Sequence, residues 1–589
     1  MKQFFGAFFG SILGIIISTV LVVVVLIGIV KSSISKVDDK DETEVSIKNN
    51  SILKLTLDGP IVDRDLEDDP LKELKKISPL GGNEQDSKGL NKLTEKIKAA
   101  KTDDNIKGIY LYFKSLQAGF ATTEELRNAL IDFKSSGKFI YSYAEVFGQR
   151  EYYLASASSK IFLNPQGGME WKGLSTSIMF FKKMFDKVGL DVQIFRHGKF
   201  KSAVEPFMVE KMSDANRYQT ETFLNSIWES MLKGIAEQRK VSIPDLQAWA
   251  NNLSIQFPED AVGKLIDAIA YEDEVLSELA KKSNSGDKPN FISLGSYSEK
   301  TKSKGTDKIA VVYAIGGIES GQGDDETIGS DRIAKAIKDA RNDEKIKAIV
   351  LRVNSPGGSA LASDVIWREV TLAKKQKPVI VSMGDLAASG GYYISCAADY
   401  IFAQPNTITG SIGVFGMMPN FQKIVEEKLY IHIDSVNTNQ HSDLGSTFRP
   451  VSKTEYDYIQ SGVEKVYDVF TKRVADGRGM KQSDVDSIGQ GRVWSGNDAL
   501  KIKLVDELGG LDKAIAFAAK KAKLDNYKIV DFPKMTNPFD KWLGKKEMDV
   551  ENKIMKLHFG EAYPLLMKLK TVVKSKGVQA RLPFEISIN

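Results

Sequence analysis

The sequence is nearly empty of cysteine: Cys396 is the only one in 589 residues, which excludes any intrachain disulfide and any multi-cysteine metal site. Its surroundings, YYISCAA, are apolar, so a core position is expected. Histidine is almost as scarce. The four, at 197, 432, 441 and 558, form no HExxH pair and no His/Cys cluster, so zinc catalysis lacks ligands and no metal is called for. Charge of one sign is missing too, because 81 Lys+Arg against 77 Asp+Glu leave a formal net charge of only +4. Without a basic stripe interleaved with aromatics, nucleic acid is not an expected partner.

What is present begins with composition: 42% hydrophobic and 27% charged residues describe folded protein, long enough for at least two domains. One long apolar run stands apart. Phe4 to Val30 carries no charge and is flanked by Lys2 and Lys31, which suits a bilayer span better than a cleaved signal peptide, whose apolar region is shorter and ends in a small-x-small site. We therefore expect a transmembrane anchor over 1–36 followed by a polar linker over 37–50. Lys31 and Lys36 compete with Lys2 under the positive-inside rule, so charge alone leaves the orientation open.

The chain also repeats itself. IKGIYLYFKS at Ile106 aligns with IKAIVLRVNS at Ile346, a spacing of 240, and the same spacing places Ile97 on Ile337, Tyr152-Tyr153 on Tyr392-Tyr393 and IFLNP at Ile161 on IFAQP at Ile401. KLID at Lys264 meets KLVD at Lys503 one residue closer. A register held that long indicates tandem duplication. The copies are read as 51–300 and 307–530, with an extension over 531–589. In each, short β-branched runs such as PVIVSM alternate with helical-period stretches such as ALASDVIWREVTLAKKQK, the pattern of an α/β fold with a parallel sheet. The insertion near Asp63 to Gly89 reads as a surface loop, and the extension as one or two amphipathic helices that pack rather than catalyse.

Positions where the copies differ carry the chemistry. MGDLAASGGYY opposes YAEVFGQREYY, so Ser389, with Ala388 and Gly390-Gly391 around it, corresponds to Gln149. Small neighbours at a strand-to-helix turn suit a nucleophile, and a helix cap is the other reading. RVNSPGGSA opposes YFKSLQAGF. Its Gly357-Gly358 is either a plain turn or a backbone N–H turned outward as an oxyanion hole. His441 corresponds to Lys201, which lies in GKFKSAVEPF among Phe200, Val204 and Phe207, where Ser202-x-x-Glu205 resembles a capping box. Desolvation and a helix N-terminus would both favour the neutral amine that a lysine base needs, although a surface lysine remains the alternative.

Together MGDxAASGGYY, KSAVEPF, SPGG and TGSIG resemble signal peptide peptidase A, or protease IV, in its long duplicated form. The resemblance covers roughly 1 to 530, and the last sixty residues match no motif. It implies tandem crotonase/Clp-protease-like α/β domains, with Ser389 as nucleophile, Lys201 as base, Ser411 of TGSIGVFG holding the lysine, and Gly358 with the Ser389 N–H as oxyanion hole. No cofactor is implied. Expected partners are signal peptides and other hydrophobic peptides, the lipid bilayer, and further copies in a tetramer, with the catalytic domains periplasmic on a single-pass inner-membrane anchor. An inactive membrane scaffold and a Ser389–His441 protease are the competing readings. A dyad divided between copies places the active site at their interface.

Overall fold

The computed structural model describes residues 47–64, 87–297, 305–535 and 578–581. The expected anchor, most of the linker and the expected C-terminal helices lie outside these residues. Among the described residues no helix is long and apolar enough to cross a membrane.

Each half carries its own parallel sheet. In the first, Ser51–Val62, Ile106–Gln117, Phe139–Phe147 and Lys160–Met169 lie side by side in that order. In the second, Lys308–Ile315, Ile346–Ser355 and Val379–Ala388 follow the same order, and Tyr400–Ala403 and Ile408–Gly410 both pair with the last of these. These strands read as near-continuous apolar runs because both faces are covered: all eight residues from Ile309 to Val312 and from Ala348 to Leu351 are fully buried. Helices Phe120–Lys134 and Ala360–Lys374 follow matching strands. A long helix closes each half, Asp214–Arg239 capped by Ser213 and Lys453–Arg478 capped by Ser452 in a capping box with Glu455. Cys396 is buried, as its neighbours suggest, and burial pushes its thiol up to about 12.

Two contacts stand out among those that fasten the halves together. A composite sheet runs in the order Ile328–Gly329, Ile318–Glu319, Gly357–Ser359, Gln579–Arg581, Phe415–Asn420 and Asp191–Arg196. Its last pair is antiparallel and joins the two copies, with Phe415 opposite Arg196 and Asn420 opposite Asp191. The second contact is a buried polar cluster in which Arg352 lies 2.6 Å from Asp63 and 3.0 Å from Glu125. The Asp385 carboxylate accepts from the Thr122 backbone N–H at 3.0 Å and from the Thr122 hydroxyl at 2.5 Å.

Asp63 corrects the surface-loop reading at its own position, being only 3% exposed, while residues 65–86 of that insertion lie outside the described residues. A carboxylate there is tolerable because the Arg352 guanidinium from the other copy compensates it. The extension contributes to the sheets at its two described ends. Residues 531 and 532 end the strand Lys528–Phe532 on the second parallel sheet, and Gln579–Arg581 enters the composite sheet beside the residues singled out for chemistry.

Candidate active site

Ser389 follows the Val379–Ala388 strand and precedes the short helix Gly390–Ser395. Its φ of 54° lies in the left-handed region that side chains rarely adopt. Held there, the hydroxyl makes no cap hydrogen bond, so the helix-cap reading does not describe it. The backbone N–H of Ser389 donates to the Gly410 carbonyl at 2.8 Å. That bond fixes the turn and leaves the first helical N–H, on Gly390, as the neighbouring donor without an intrahelical partner.

Lys201 arrives from the first copy on the segment between Asp191–Arg196 and the 3-10 turn Ser202–Val204. Its Nζ lies 2.9 Å from Ser389 Oγ and 3.1 Å from Ser411 Oγ. All three residues are 0% exposed. Ser411, at φ 49°, is strained like Ser389. Burial pushes the Lys201 ammonium well below its ordinary pKa, with no carboxylate near enough to oppose it. The structure thus brings Lys201, Ser389 and Ser411 into one hydrogen-bonded group across a sequence separation of 210.

The walls around Lys201 differ from those expected. Phe415, from the second copy, has its ring centre 5.9 Å from Nζ. Phe200 lies against Arg492, and Phe207 stacks on Phe181 and Phe185. Nor does the Ser202/Glu205 capping box form. Glu205 instead accepts from the Ser213 hydroxyl at 2.6 Å and from Asn216 Nδ2 at 2.9 Å, tying the lysine segment to the start of the long helix. Gln219 of that helix donates to the Phe200 carbonyl at 3.1 Å and to Ser202 Oγ at 2.9 Å, and accepts from the Val493 N–H at 3.2 Å. Gly491 was missed by sequence reasoning. At φ +79°, it passes so close that a Cβ there would lie 2.7 Å from the Lys201 backbone. Its counterpart at the spacing of 239 is Asn252, a contrast of the same kind as the ones that pointed to Ser389.

His441 is not part of this group. Its ring lies 3.1 Å from Glu455 in a partly exposed ion cluster, where Arg449 pairs with Asp443 and Glu455 at 2.7 Å each. Gly358 lies on the strand Gly357–Ser359, between Ile318–Glu319 and Gln579–Arg581 in the composite sheet, and its nitrogen is 3.1 Å from the point where a Cβ on Gly390 would sit.

A buried serine at a strained strand-to-helix turn, on a duplicated α/β sheet with a lysine amine at hydrogen-bonding distance, defines a serine peptidase. Residues 132–285 and 371–525 each match the model of peptidase family S49, and 308–410 match that of Clp protease. Protease 4 of Salmonella typhi is 37% identical over 491 residues, 81% of this chain and 79% of its own length. Protease 4 of Haemophilus influenzae is 36% identical over 80% of this chain and 79% of its own. The chloroplastic serine protease SPPA of Arabidopsis thaliana is 31% identical over 91% of this chain and 78% of its own. The chain belongs to peptidase family S49, in its protease 4/SppA group with the domain present twice.

Proposed function

We propose that this chain is a membrane-bound endopeptidase working through a Ser389–Lys201 dyad that degrades cleaved signal peptides and other hydrophobic peptides. The observation that carries it is the 2.9 Å approach of Lys201 Nζ to Ser389 Oγ with both groups shut away from water. A neutral Lys201 accepts the Ser389 proton as Oγ attacks the scissile carbonyl, then protonates the leaving amine. Ser411 holds the amine in line. The Gly358 and Gly390 N–H groups stabilise the tetrahedral oxyanion, since the Ser389 N–H is engaged by Gly410.

Substrate binds by strand addition in this reading. Adjacent strands lie about 4.8 Å apart, so Gly357–Ser359 and Phe415–Asn420, which flank one intervening strand, form a slot on the order of 10 Å wide lined by backbone donors and acceptors. Signal-peptide remnants suit such a slot because main-chain bonding tolerates varied apolar side chains. The uncharged run from Phe4 to Val30 supports a single-pass anchor, with the catalytic halves on the periplasmic side.

An assembly of several chains, a tetramer by the family resemblance, completes the proposal. The pairing of Asp191–Arg196 with Phe415–Asn420 has an unused counterpart at the spacing of 240, namely 431–436 and 175–180. Neither segment is in a strand, and Ile431, Ile433 and Val436 are exposed. Repeating the internal contact between chains is a head-to-tail interaction that closes into a ring.

The test is hydrolysis of a hydrophobic fluorogenic peptide by wild type, Ser389→Ala, Lys201→Ala and His441→Ala. Loss in the Ser389 and Lys201 variants alone supports the dyad. Activity surviving in Lys201→Ala refutes it, and a wild type inert to every peptide revives the scaffold.

A further inference from the structure

Behind the dyad, one turn of the second copy touches both segments that carry the amine and its support. Gln490 and Gly491 follow the helix Gln482–Ile488, and both have positive φ, 55° and 79°. On one side the turn grips the lysine segment: the Phe200 N–H donates to the Gln490 carbonyl at 2.9 Å, and Gly491 lies against the Lys201 backbone. On the other it grips the Ser411 segment. The Gly491 N–H donates to the Ile412 carbonyl at 2.7 Å, the Ser411 N–H to the Arg492 carbonyl at 2.7 Å, and the Ser411 hydroxyl to the Gly491 carbonyl at 3.4 Å. A shift of this turn therefore moves Lys201 and Ser411 together.

Left-handed backbone is unfavourable for glutamine and persists where a neighbour holds it. That neighbour is Tyr467, on the long helix Lys453–Arg478 and only 5% exposed. Its hydroxyl accepts from the Gln490 N–H at 3.1 Å and donates to the Asp486 carboxylate at 2.6 Å, and the Gln490 side-chain amide donates to the same carboxylate oxygen at 2.6 Å. The ring makes a separate contact with the lysine segment. It stacks on His197, four residues before Lys201, with ring centres 3.7 Å apart, and His197 pairs with Glu464 of the same long helix. At the spacing of 239 the first copy has Trp228, which packs on Trp171 and carries no hydroxyl to hold such a turn.

We propose that Tyr467 is a positioning residue for the proton transfer, its hydroxyl fixing the Gln490–Arg492 turn that sets Lys201 Nζ against Ser389 and Ser411. The inference rests on the dyad reading of the same site. Nζ is faced by the Ser389 and Ser411 hydroxyls, the Ser411 carbonyl and the Phe415 ring, none of them charged, so burial is what keeps the amine neutral. Loosening the turn admits water behind the amine and lets Nζ leave its line to Ser389. Both the rate of proton transfer and the pH at which activity rises should respond. The slot proposed for substrate, between Gly357–Ser359 and Phe415–Asn420, is built without this turn, so KM should change little.

The test measures kcat, KM and the pH dependence of fluorogenic-peptide hydrolysis for full-length wild type, Tyr467→Phe, Asp486→Ala and Lys201→Ala, with Tm recorded for each. Tyr467→Phe keeps the ring on His197 and leaves the Gln490 N–H without its partner. The expected result is a loss in kcat on the order of 10-fold to 100-fold, KM within about twofold of wild type, and an activity midpoint displaced upward toward that of free lysine. Asp486→Ala removes the acceptor of the hydroxyl but not the hydroxyl, so it should move the midpoint the same way by less, and it carries the comparison alone should Tyr467→Phe not fold. A merely structural role lowers Tm and leaves the midpoint in place, so an unmoved midpoint in the folded variants overturns the inference whatever happens to kcat. An inactive Lys201→Ala beside a Tyr467→Phe that behaves as wild type overturns it too, and leaves the dyad standing. Full activity in Lys201→Ala overturns the dyad and this inference with it.

Discussion

The two copies share a sheet and a turn, but only one turn is strained. Ser389 and Ser411 both have positive φ, whereas their counterparts Gln149 and Trp171 do not. In the first copy the space is filled instead: Gln149 donates to the Gly173 carbonyl and accepts from the Lys172 and Gly173 N–H groups, while Trp171 packs on Tyr152 and Trp228. A side-chain amide thus closes the loop that in the second copy carries Ser411. The lesson is a division of labour. The first copy relaxed its own turn and kept the lysine segment, which it presents to the strained turn of its sibling.

The sharpest way to break that comparison asks whether both halves of the dyad come from one chain. Lys201 and Ser389 meet within a single chain, so co-assembled Ser389→Ala and Lys201→Ala chains should stay as inactive as either alone, down on the order of 10⁴-fold in kcat/KM. Recovery of activity on mixing would show that the site forms between chains.

A smaller effect is expected at the polar joint between the copies. Arg352→Met removes the cation that compensates Asp63 and Glu125, both buried, and should cost about 3–5 kcal/mol, read as a lowered Tm and earlier urea unfolding. Adding Asp63→Asn should restore part of the loss. Equal Tm values for wild type and Arg352→Met would mean that this cluster does not hold the halves together.

Much of the site was legible in the sequence because duplication supplies an internal control. Ser389 against Gln149 and Lys201 against His441 are differences between copies that otherwise share their pattern. What escaped depends on partners distant in sequence. Asp63 looked like surface because nothing near it marks the arginine 289 positions away. Ser202-x-x-Glu205 matched a capping box, but the carboxylate is claimed by Ser213 and Asn216 once the long helix docks. Gly491 is required by the close approach of another backbone, and the tail in the slot follows from sheet pairing across more than 200 residues. Local propensity carries no signal for any of these.

Lys201 also marks where function works against stability. Its folded pKa is depressed by burial, so between that value and the unfolded value of about 10.4 the unfolded chain binds one proton more. Stability therefore rises with pH across that window, and the penalty is fully present below it. Lys201→Met should raise Tm by about 2–4 °C at pH 7, with the gain shrinking toward pH 10. With Lys201 as the proposed base, wild-type activity should likewise climb with pH as the amine loses its proton, through a midpoint well below that of a free lysine. A Tm unchanged at pH 7, or an activity limb at the ordinary lysine pKa, would argue that the amine is solvated and charged.

The smallest expected effect tests the counterpart that lost the role. His441 occupies the position of Lys201 in the second copy, yet its side chain is 38% exposed and contacts only the rim of an ion cluster. Glu455 stays below the usual carboxylate range chiefly through Arg449 and the Ser452 N–H, so deleting the imidazole leaves it paired. With Glu455 buried but still held by Arg449, losing this half-exposed contact costs about 0.2–1 kcal/mol. His441→Ala should accordingly leave kcat/KM within about twofold of wild type and shift Tm by about 1 °C or less. A large loss of activity without a loss of stability would return His441 to the chemistry and undo the division between the copies.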